Sequence, residues 1–323
     1  MRRAILAAAA ILALGFGTAH AQSYPSRPIT IVVPFAAGGP TDVIGRALAE
    51  RMRASLGQPV LIENVTGAGG SIGVARAVQA APDGYTISMG NTGTHVAAGA
   101  IYPLKFDLLT DLEPLALIAT NPMVVVTKNA LPAKNLGELI ALLKANAGQV
   151  PTGTAGVGSA SHLAGVYFQV VSGTKLNFVP YRGTGPALQD LVAGQIDVIV
   201  DQASNSMNQI KAGSIKALAV SGDKRLAGAP DVPTADEAGL PAFQVSVWNA
   251  FWMPKGTPKD VTAKLSAAVM NALADPTVRQ RLVDLGLEIP APAQQTPEAL
   301  GKYHKAEIEK WWPIIKAANI KPE

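Results

Sequence analysis

The chain has 323 residues, of which 48% are hydrophobic and 5% aromatic, with 31 glycines, 24 prolines and no cysteine. This length suffices for two ordinary domains, and the lack of cysteine excludes disulfides, thiolate metal sites, iron–sulfur clusters and lipid attachment through cysteine. The net charge of +4 is small and the basic residues are scattered, which argues against a nucleic-acid-binding surface.

The first 21 residues have the pattern of a secretory signal peptide. Two arginines precede an apolar run at 4–16, and Ala19-His20-Ala21 forms a small-x-small cleavage site. A membrane-spanning helix needs about 20 apolar residues, more than this run supplies. We therefore expect cleavage after Ala21 and a periplasmic chain without a lipid anchor.

After residue 28, short β-branched runs alternate with glycine-rich turns and amphipathic helices. Strands are predicted at 29–33, 60–64, 85–89, 123–127, 150–154, 176–179, 196–200, 215–220 and 245–253, and helices at 44–56, 71–80, 136–146, 160–171, from 186, at 260–273 and at 297–318. This alternation indicates an α/β fold of mostly parallel sheets flanked by helices. We predict two lobes, formed by 22–122 with 246–323 and by 123–245.

Four glycine-rich junctions lie between predicted strands and helices, at 35–42, 66–71, 155–162 and 181–186. In open α/β sheets, ligands bind at the carboxyl ends of the strands, where helix N-termini are partly positive and glycine lets the main chain approach closely. These junctions supply main-chain N–H groups and hydroxyls, which suit a carboxylate if they meet in one cleft. Otherwise they only connect strands to helices.

The candidate ligand-binding residues are concentrated at these junctions. The main-chain amides of Ala37, Gly38 and Gly39, together with Thr41, Ser159 and His162, are predicted to hold a carboxylate. The other candidates shape the far end of the cleft or lie beside it: Phe35, Asp42, Asn91, Thr92, Thr94, His95, Gly158, Tyr181, Gly183, Thr184 and Asp201.

The two acidic candidates have competing interpretations. Asp42 lies at a helix start, where capping or a water bridge is favoured because a carboxylate would repel an anionic ligand. Asp201 follows a strand and either faces an amine or hydroxyl of the ligand or is solvated in a loop.

Other chemistries have little support in the sequence. Residues 66–73 fit a glycine-rich dinucleotide pattern, but no acidic residue follows the next strand. There is no Gly-x-Ser-x-Gly motif, and the histidines lack metal-ligand spacing. We expect no cofactor, no metal and no catalysis, and a solvated position for His304. An exported hydrolase that uses Ser159 or Ser161 with His162 is the alternative, and a receptor for a histidine kinase is a third possibility.

Short motifs run in order along almost the whole chain after residue 21. They are Tyr24-Pro-x-Arg-Pro-Ile-x-Ile-Val-Val-Pro34, Gly38-Gly39-x-x-Asp42, Asn64-x-x-Gly67-Ala-Gly-Gly70, Ala81-Pro-Asp-Gly-Tyr-Thr86, Gly156-x-Gly-Ser159 with His162-Leu163, Val179-Pro-Tyr-Arg-Gly183, Gly194-x-x-Asp197 and Thr257-Pro258. Together they resemble the tripartite tricarboxylate transporter substrate-binding family, also called Bug receptors.

The resemblance implies a type II periplasmic-binding-protein fold, with the ligand cleft between two hinged α/β lobes. It implies a small organic carboxylate as ligand (a di- or tricarboxylate, an acidic amino acid or an aromatic acid) and a membrane permease of one large and one small subunit as partner. In the family, loops matching 35–42 and 155–162 hold a carboxylate, partly through ordered waters. The sequence departs from the family pattern at 200–202, so an amine-binding role is not carried over.

Overall fold

The computed structural model describes residues 24–317 and 319–322, so the predicted signal peptide lies outside the described residues. Within these residues, no helix combines the length and the apolar character that crossing a bilayer requires.

The described residues form nine strands and ten α-helices. The strands are β1 (Ile29–Val33), β2 (Val60–Asn64), β3 (Thr86–Asn91), β4 (Leu112–Lys128), β5 (Pro151–Thr154), β6 (Asn177–Pro180), β7 (Val198–Gln202), β8 (Ile215–Val220) and β9 (Ser246–Pro254). The helices are α1 (Pro40–Leu56), α2 (Ser71–Val78), α3 (Ala98–Ile101), α4 (Leu136–Ala145), α5 (Ala160–Ser172), α6 (Thr184–Val192), α7 (Ala203–Lys211), α8 (Lys259–Ala274), α9 (Pro276–Asp284) and α10 (Pro297–Ala317). A π-helical turn, Gly93–Ala97, leads into α3.

The sheet is mixed and has two parts that share one strand. Its order is β2-β1-β3-β9-β4-β7-β5-β6, with β8 also paired to β4. The first half of β4 pairs antiparallel with β9, and its second half pairs antiparallel with β7 and β8. The strands that carry the glycine-rich junctions are parallel to their neighbours within each lobe. The antiparallel pairs therefore belong to the strands at the crossover between the two lobes.

Helix α1 illustrates how local sequence positions the site. Proline at its first position and Asp42 in its first turn favour a helix start directly after the 35–42 junction. The stripe Ile44, Leu48, Met52 and Leu56 is buried, and Gly57 ends the helix in the left-handed conformation with φ of 67°. The N-terminus of α1 is thereby fixed at the carboxyl end of β1.

Helix α10 returns to the first lobe and covers the end of β9. Trp248 and Trp252 are buried there, in one cluster with Leu300 and Ile308 of α10. The expectation that His304 is solvated is wrong. It is 1% exposed, and its Nε2 lies 2.5 Å from the carbonyl oxygen of His95, because this side of α10 packs on the lobe.

Candidate functional site

Loops from both lobes meet over the carboxyl ends of β1, β3, β5 and β7 and enclose a small cavity. Its volume is about 10 Å³. The lining residues are Phe35, Pro40, Thr41 and Asn91 from the first lobe and Ala155, Ser159, Ala160, Ser161, Thr184 and Gln202 from the second. The glycine-rich junctions at 35–42, 155–162 and 181–186 therefore converge on one cleft.

The predicted ligand-binding residues lie in three places: in the cavity lining, at its rim, and around or beneath it. Phe35, Thr41, Asn91, Ser159 and Thr184 line the cavity. Ala37 and Gly38 are exposed at the rim, and Gly39 is buried beside them. The remaining candidates lie around or beneath the lining. Gln202 and Ser161 also line the cavity but were not among the predicted ligand-binding residues. Ser161 belongs to the 155–162 junction, and Gln202 directly follows the candidate Asp201.

The two lobes touch each other through main-chain atoms. The N–H of Ala36 donates to the carbonyl oxygen of Arg182 at 2.9 Å. A Cβ placed on Gly185 would lie 3.0 Å from the main-chain carbon of Gly38 and the nitrogen of Gly39. The Tyr102 hydroxyl also donates across the cleft to the carbonyl oxygen of Val157 at 2.7 Å. The structure therefore shows the lobes closed on each other.

Asp42 holds the 35–42 loop in place. Its carboxylate accepts from the Gly38 N–H at 2.9 Å, from Arg46 through two bonds at 2.9 Å and from the Asn64 amide at 3.0 Å. Burial alone would raise the pKa of Asp42, but these donors outweigh it and hold the pKa below its ordinary value. With its oxygens engaged in this way, Asp42 positions the loop rather than presenting a free charge to a ligand.

The geometry of Ser159, Ser161 and His162 differs from that of a catalytic pair. The two serine hydroxyls lie 3.2 Å apart, and Ser159 caps α5 by accepting from the His162 main-chain N–H at 3.3 Å. The Nδ1 of His162 accepts from the Gly158 N–H at 3.3 Å, and the ring packs on Phe178 at 4.8 Å. A hydrolase needs a base bonded to its nucleophile. Among the described hydrogen bonds, none joins the His162 ring to either hydroxyl.

Replacing His162 by glutamine is expected to reduce the loss of folding stability that occurs as the pH becomes acidic. Burial lowers the pKa of His162 to about 4, whereas an unfolded histidine titrates near 6.5. The unfolded chain binds the proton first, so stability is complete above pH 6.5 and falls by about 3 kcal/mol as the pH drops to 4. Glutamine still accepts from Gly158 but does not titrate. In urea denaturation, the free energy of unfolding of wild type should therefore fall relative to that of His162→Gln as the pH drops from 7.5 to 4.5. A difference that stays constant with pH would contradict the lowered pKa of His162.

Thr94 and His95 lie beneath the cleft rather than in it. The His95 ring is fully buried, stacks on Trp252 at 3.7 Å and bonds to the hydroxyls of Ser88 and Thr94. Burial and the nearby His304 lower the pKa of His95 well below its ordinary value. This ring thus supports the turn after β3 as a neutral group.

Three other candidates are engaged with the protein around the cleft. The Thr92 hydroxyl accepts from the Trp248 N–H at 3.4 Å, and the Tyr181 hydroxyl donates to Asp190 at 2.7 Å. Gly183, with φ of 149°, packs against the Ala36 nitrogen of the other lobe. These contacts fix the far end of the cleft.

Asp201 is fully buried at the end of β7. Its carboxylate accepts from Asn205 and Ser206 at 2.6 Å each and from the Gln202 N–H at 2.9 Å. Burial raises the pKa of Asp201 to about 6, although these bonds oppose the shift. The Thr184 hydroxyl is near enough to lower this pKa but forms no hydrogen bond of normal geometry. Asp201 therefore organises α7 beneath the cleft.

The cavity presents buried hydroxyls and helix N-termini. The Thr41 hydroxyl is buried without a partner, and the buried Thr184 hydroxyl lies beside the Asp201 carboxylate. Each threonine stands in the first turn of a helix, α1 or α6. Helix α5 also begins at the cavity, after Ser159. No Lys, Arg, Asp or Glu is among the described residues that line it. A group that binds here meets neutral donors and the positive ends of helix dipoles.

A larger groove, with a volume of about 690 Å³, lies between loop 221–227 and the chain around 286–311. Two of its lysines pair with carboxylates of the same groove, Lys224 with Glu288 at 2.9 Å and Lys310 with Glu307 at 3.6 Å. Within the described residues, no group of three His, Asp or Glu side chains could hold a metal ion. The cleft is therefore the better candidate for a small anionic ligand.

The sequence profile of the tripartite tricarboxylate transporter family receptor matches residues 44–320. The chain belongs to this receptor family. A family relative, encoded in the TAR-I ttuE-ttuC' intergenic region of Agrobacterium vitis, is 45% identical over 303 residues, covering 93% of this chain and 87% of the relative.

Solved structures agree with this membership. Periplasmic binding protein BugD is 41% identical, with a TM-score of 0.88 over 92% of this chain and 99% of BugD. MatC (Rpa3494) from Rhodopseudomonas palustris, solved with bound malate, is also 41% identical, with a TM-score of 0.86 over 90% of this chain and 100% of MatC. The predicted family and its two-lobed periplasmic-binding-protein fold are confirmed.

Proposed function

We propose that this receptor binds a small organic carboxylate between its lobes in the periplasm and delivers it to the permease of a tripartite tricarboxylate transporter. That permease consists of one large and one small membrane subunit. We assign residues 22–122 with 246–323 to the first lobe and 123–245 to the second, after cleavage following Ala21. The malate bound to MatC, a family member of 41% identity, supports a carboxylate as ligand.

The observation that carries this proposal is the convergence of helix N-termini and two buried threonine hydroxyls on one cavity without charged side chains among its described lining. Thr41 and Thr184 are 1% and 3% exposed and approach the cavity from opposite lobes. A buried hydroxyl without a partner, as at Thr41, is costly, so a bound molecule that accepts from both threonines stabilises the closed form. A carboxylate has only acceptor oxygens and gains further from the adjoining helix N-termini. Contacts to both lobes bias the hinge towards closure.

Thr41→Val and Thr184→Val are each expected to weaken carboxylate binding about tenfold or more. Valine keeps the shape of threonine but removes a hydrogen bond to a charged group, which is worth about 1.5–3 kcal/mol. A thermal-shift screen of di- and tricarboxylates, amino acids and aromatic acids first finds a ligand that raises Tm. Titration calorimetry with that ligand then gives the affinity of each variant.

Thr262→Val is the matched control, because this threonine is half-buried on α8, does not line the cleft, and its hydroxyl donates to the carbonyl oxygen of Pro258. Its affinity should equal that of wild type. The proposal fails if no carboxylate in the screen raises Tm, or if both cleft variants bind like the control. Loss of carboxylate uptake in cells lacking the receptor, restored by the full chain, tests delivery to the permease.

A further inference from the structure

The floor of the cleft contains unpaired hydrogen-bond acceptors as well as donors. Asn249 is fully buried, and both its Oδ1 and its Nδ2 lack a partner. The Oδ1 of Asn205 is also buried and unpaired, while its Nδ2 donates to Asp201 at 2.6 Å. Buried polar side chains almost always find a partner, so this carboxamide on β9 calls for one from outside the chain.

The strand register places Asn249 beside the cavity. It stands opposite Asn91 of β3, and directly opposed residues of antiparallel strands share one face, with Cβ atoms about 5 Å apart. Asn91 lines the cavity. Asn249 also shares its face of β9 with Phe251, which belongs to the same core cluster as Ile44 of α1, the helix that begins at the cleft. The carboxamide is therefore at the cleft floor, beneath the start of α1.

The chemistry of these atoms distinguishes possible ligand groups. A carboxylate accepts hydrogen bonds only, so it satisfies Nδ2 of Asn249 but leaves Oδ1 unpaired. An ammonium group donates only and favours an anionic partner, yet Asp42 is neutralised by Arg46 and Asp201 already accepts from three donors. A hydroxyl donates and accepts at once, which matches the carboxamide.

We propose that Asn249 recognises a hydroxyl of the ligand, so that this receptor selects hydroxycarboxylates over the corresponding carboxylates without the hydroxyl. This inference rests on the proposed carboxylate-binding function and narrows its ligand class. A site built to bond a hydroxyl discriminates strongly against the analogue without it, because the buried polar groups are then left unpaired. We expect a preference of about tenfold to a hundredfold.

The test compares ligand pairs that differ by hydroxyl groups alone, by titration calorimetry on the mature receptor. Malate and tartrate are each compared with succinate, and citrate with tricarballylate. Wild type should bind the hydroxylated member of at least one pair at least tenfold more tightly. In Asn249→Leu that ratio should approach one, while Asn271→Leu, an exposed control on α8, keeps it.

Asn249→Val is a second, smaller variant in case leucine disturbs the buried strand, and it should also lower the ratio because it has neither the donor nor the acceptor of the carboxamide. Equal binding within every pair by wild type would overturn this inference and leave carboxylate binding intact. The inference would also be overturned if an Asn249 variant kept the wild-type ratio of the two affinities, whether or not both affinities were lower. If no carboxylate bound at all, the proposed function itself would fail.

Discussion

Gly93→Ala is expected to weaken carboxylate binding by about 5- to 150-fold without unfolding the receptor. A Cβ on Gly93 would lie 2.7 Å from the Ala160 nitrogen and 3.1 Å from the main-chain carbon of Ser159, both in the opposite lobe. Overpacking of this kind costs about 1–3 kcal/mol, and most of it falls on the closed form, because the one contact within its own lobe, to Asn91 Oδ1 at 3.2 Å, is the longest of the three. The glycine lies outside the left-handed region, so alanine does not strain the main chain of its own lobe.

Titration calorimetry gives the affinity of this variant, and small-angle scattering with saturating ligand reports whether the lobes close. Gly137→Ala is the control, since Gly137 is exposed on α4 and a Cβ there meets only the Asn135 side chain at 3.4 Å. The control should bind as wild type does. Unchanged affinity in Gly93→Ala would show that this approach of the lobes is not needed for binding, and a lower Tm without ligand would indicate damage to the lobe itself.

Asp201→Ala is expected to destabilise the receptor by about 3–5 kcal/mol at pH 5. Removing the carboxylate leaves Asn205, Ser206 and the Gln202 N–H without their acceptor in a fully buried site, and each unpaired donor costs about 1–3 kcal/mol. Because α7 then loses its attachment to β7, binding should weaken as well. Urea denaturation measures the first effect and calorimetry the second.

The same variant gives a pH dependence with a defined sign. The pKa of Asp201 is raised to about 6 in the folded protein, whereas an unfolded aspartate titrates near 3.9. The folded protein binds the proton more tightly, so this stabilisation is complete below pH 4 and decreases as the pH rises through 6. The advantage of wild type over Asp201→Ala should therefore be smaller at pH 7.5 than at pH 5. Asp236→Ala, exposed in the same lobe, should change stability by less than about 0.5 kcal/mol.

Regular elements with a strong local pattern were predictable from the sequence. The apolar stripe and terminal glycine of α1, and the β-branched run of β1, gave the observed bounds within a few residues. The first half of β4 was missed because Pro114 and Pro122 interrupt it, and its partner is the distant β9. Helix α7 was missed because it is rich in Ser and Asn, and its burial depends on polar contacts such as those to Asp201.

The orientation of individual side chains in the candidate site was not predictable. His162 was expected to face the cleft from a helix start, and nothing local indicates that its ring packs on Phe178 of β6. Asn249 lies in an otherwise apolar strand, and its unpaired carboxamide becomes visible only when the register with β3 is known. Such contacts depend on chain segments far apart in sequence.

The role of a glycine can likewise be predicted only in part from the local sequence. A Cβ on Gly38 would meet no protein atom within 4 Å, and the position requires a φ of +82°, while the predicted close approach of its main chain to a ligand stays a prediction. Close approach occurs at Gly185, which faces the main chain of the opposite lobe. The local sequence shows where a turn needs glycine. Which glycine must have no side chain because the opposite lobe packs against it becomes known only from the structure.

The hydrogen bond from Ala36 to Arg182 and the approach of Gly185 to residues 38–39 involve only main-chain atoms, and the second requires only that residue 185 stay glycine. Pocket side chains such as Thr41 and Gln202 take no part in them. After gene duplication, substitutions of a few pocket side chains can therefore change the ligand of the encoded receptor while its closed conformation is kept. Any membrane component that recognises this shape would accept the altered copy without having to evolve with it.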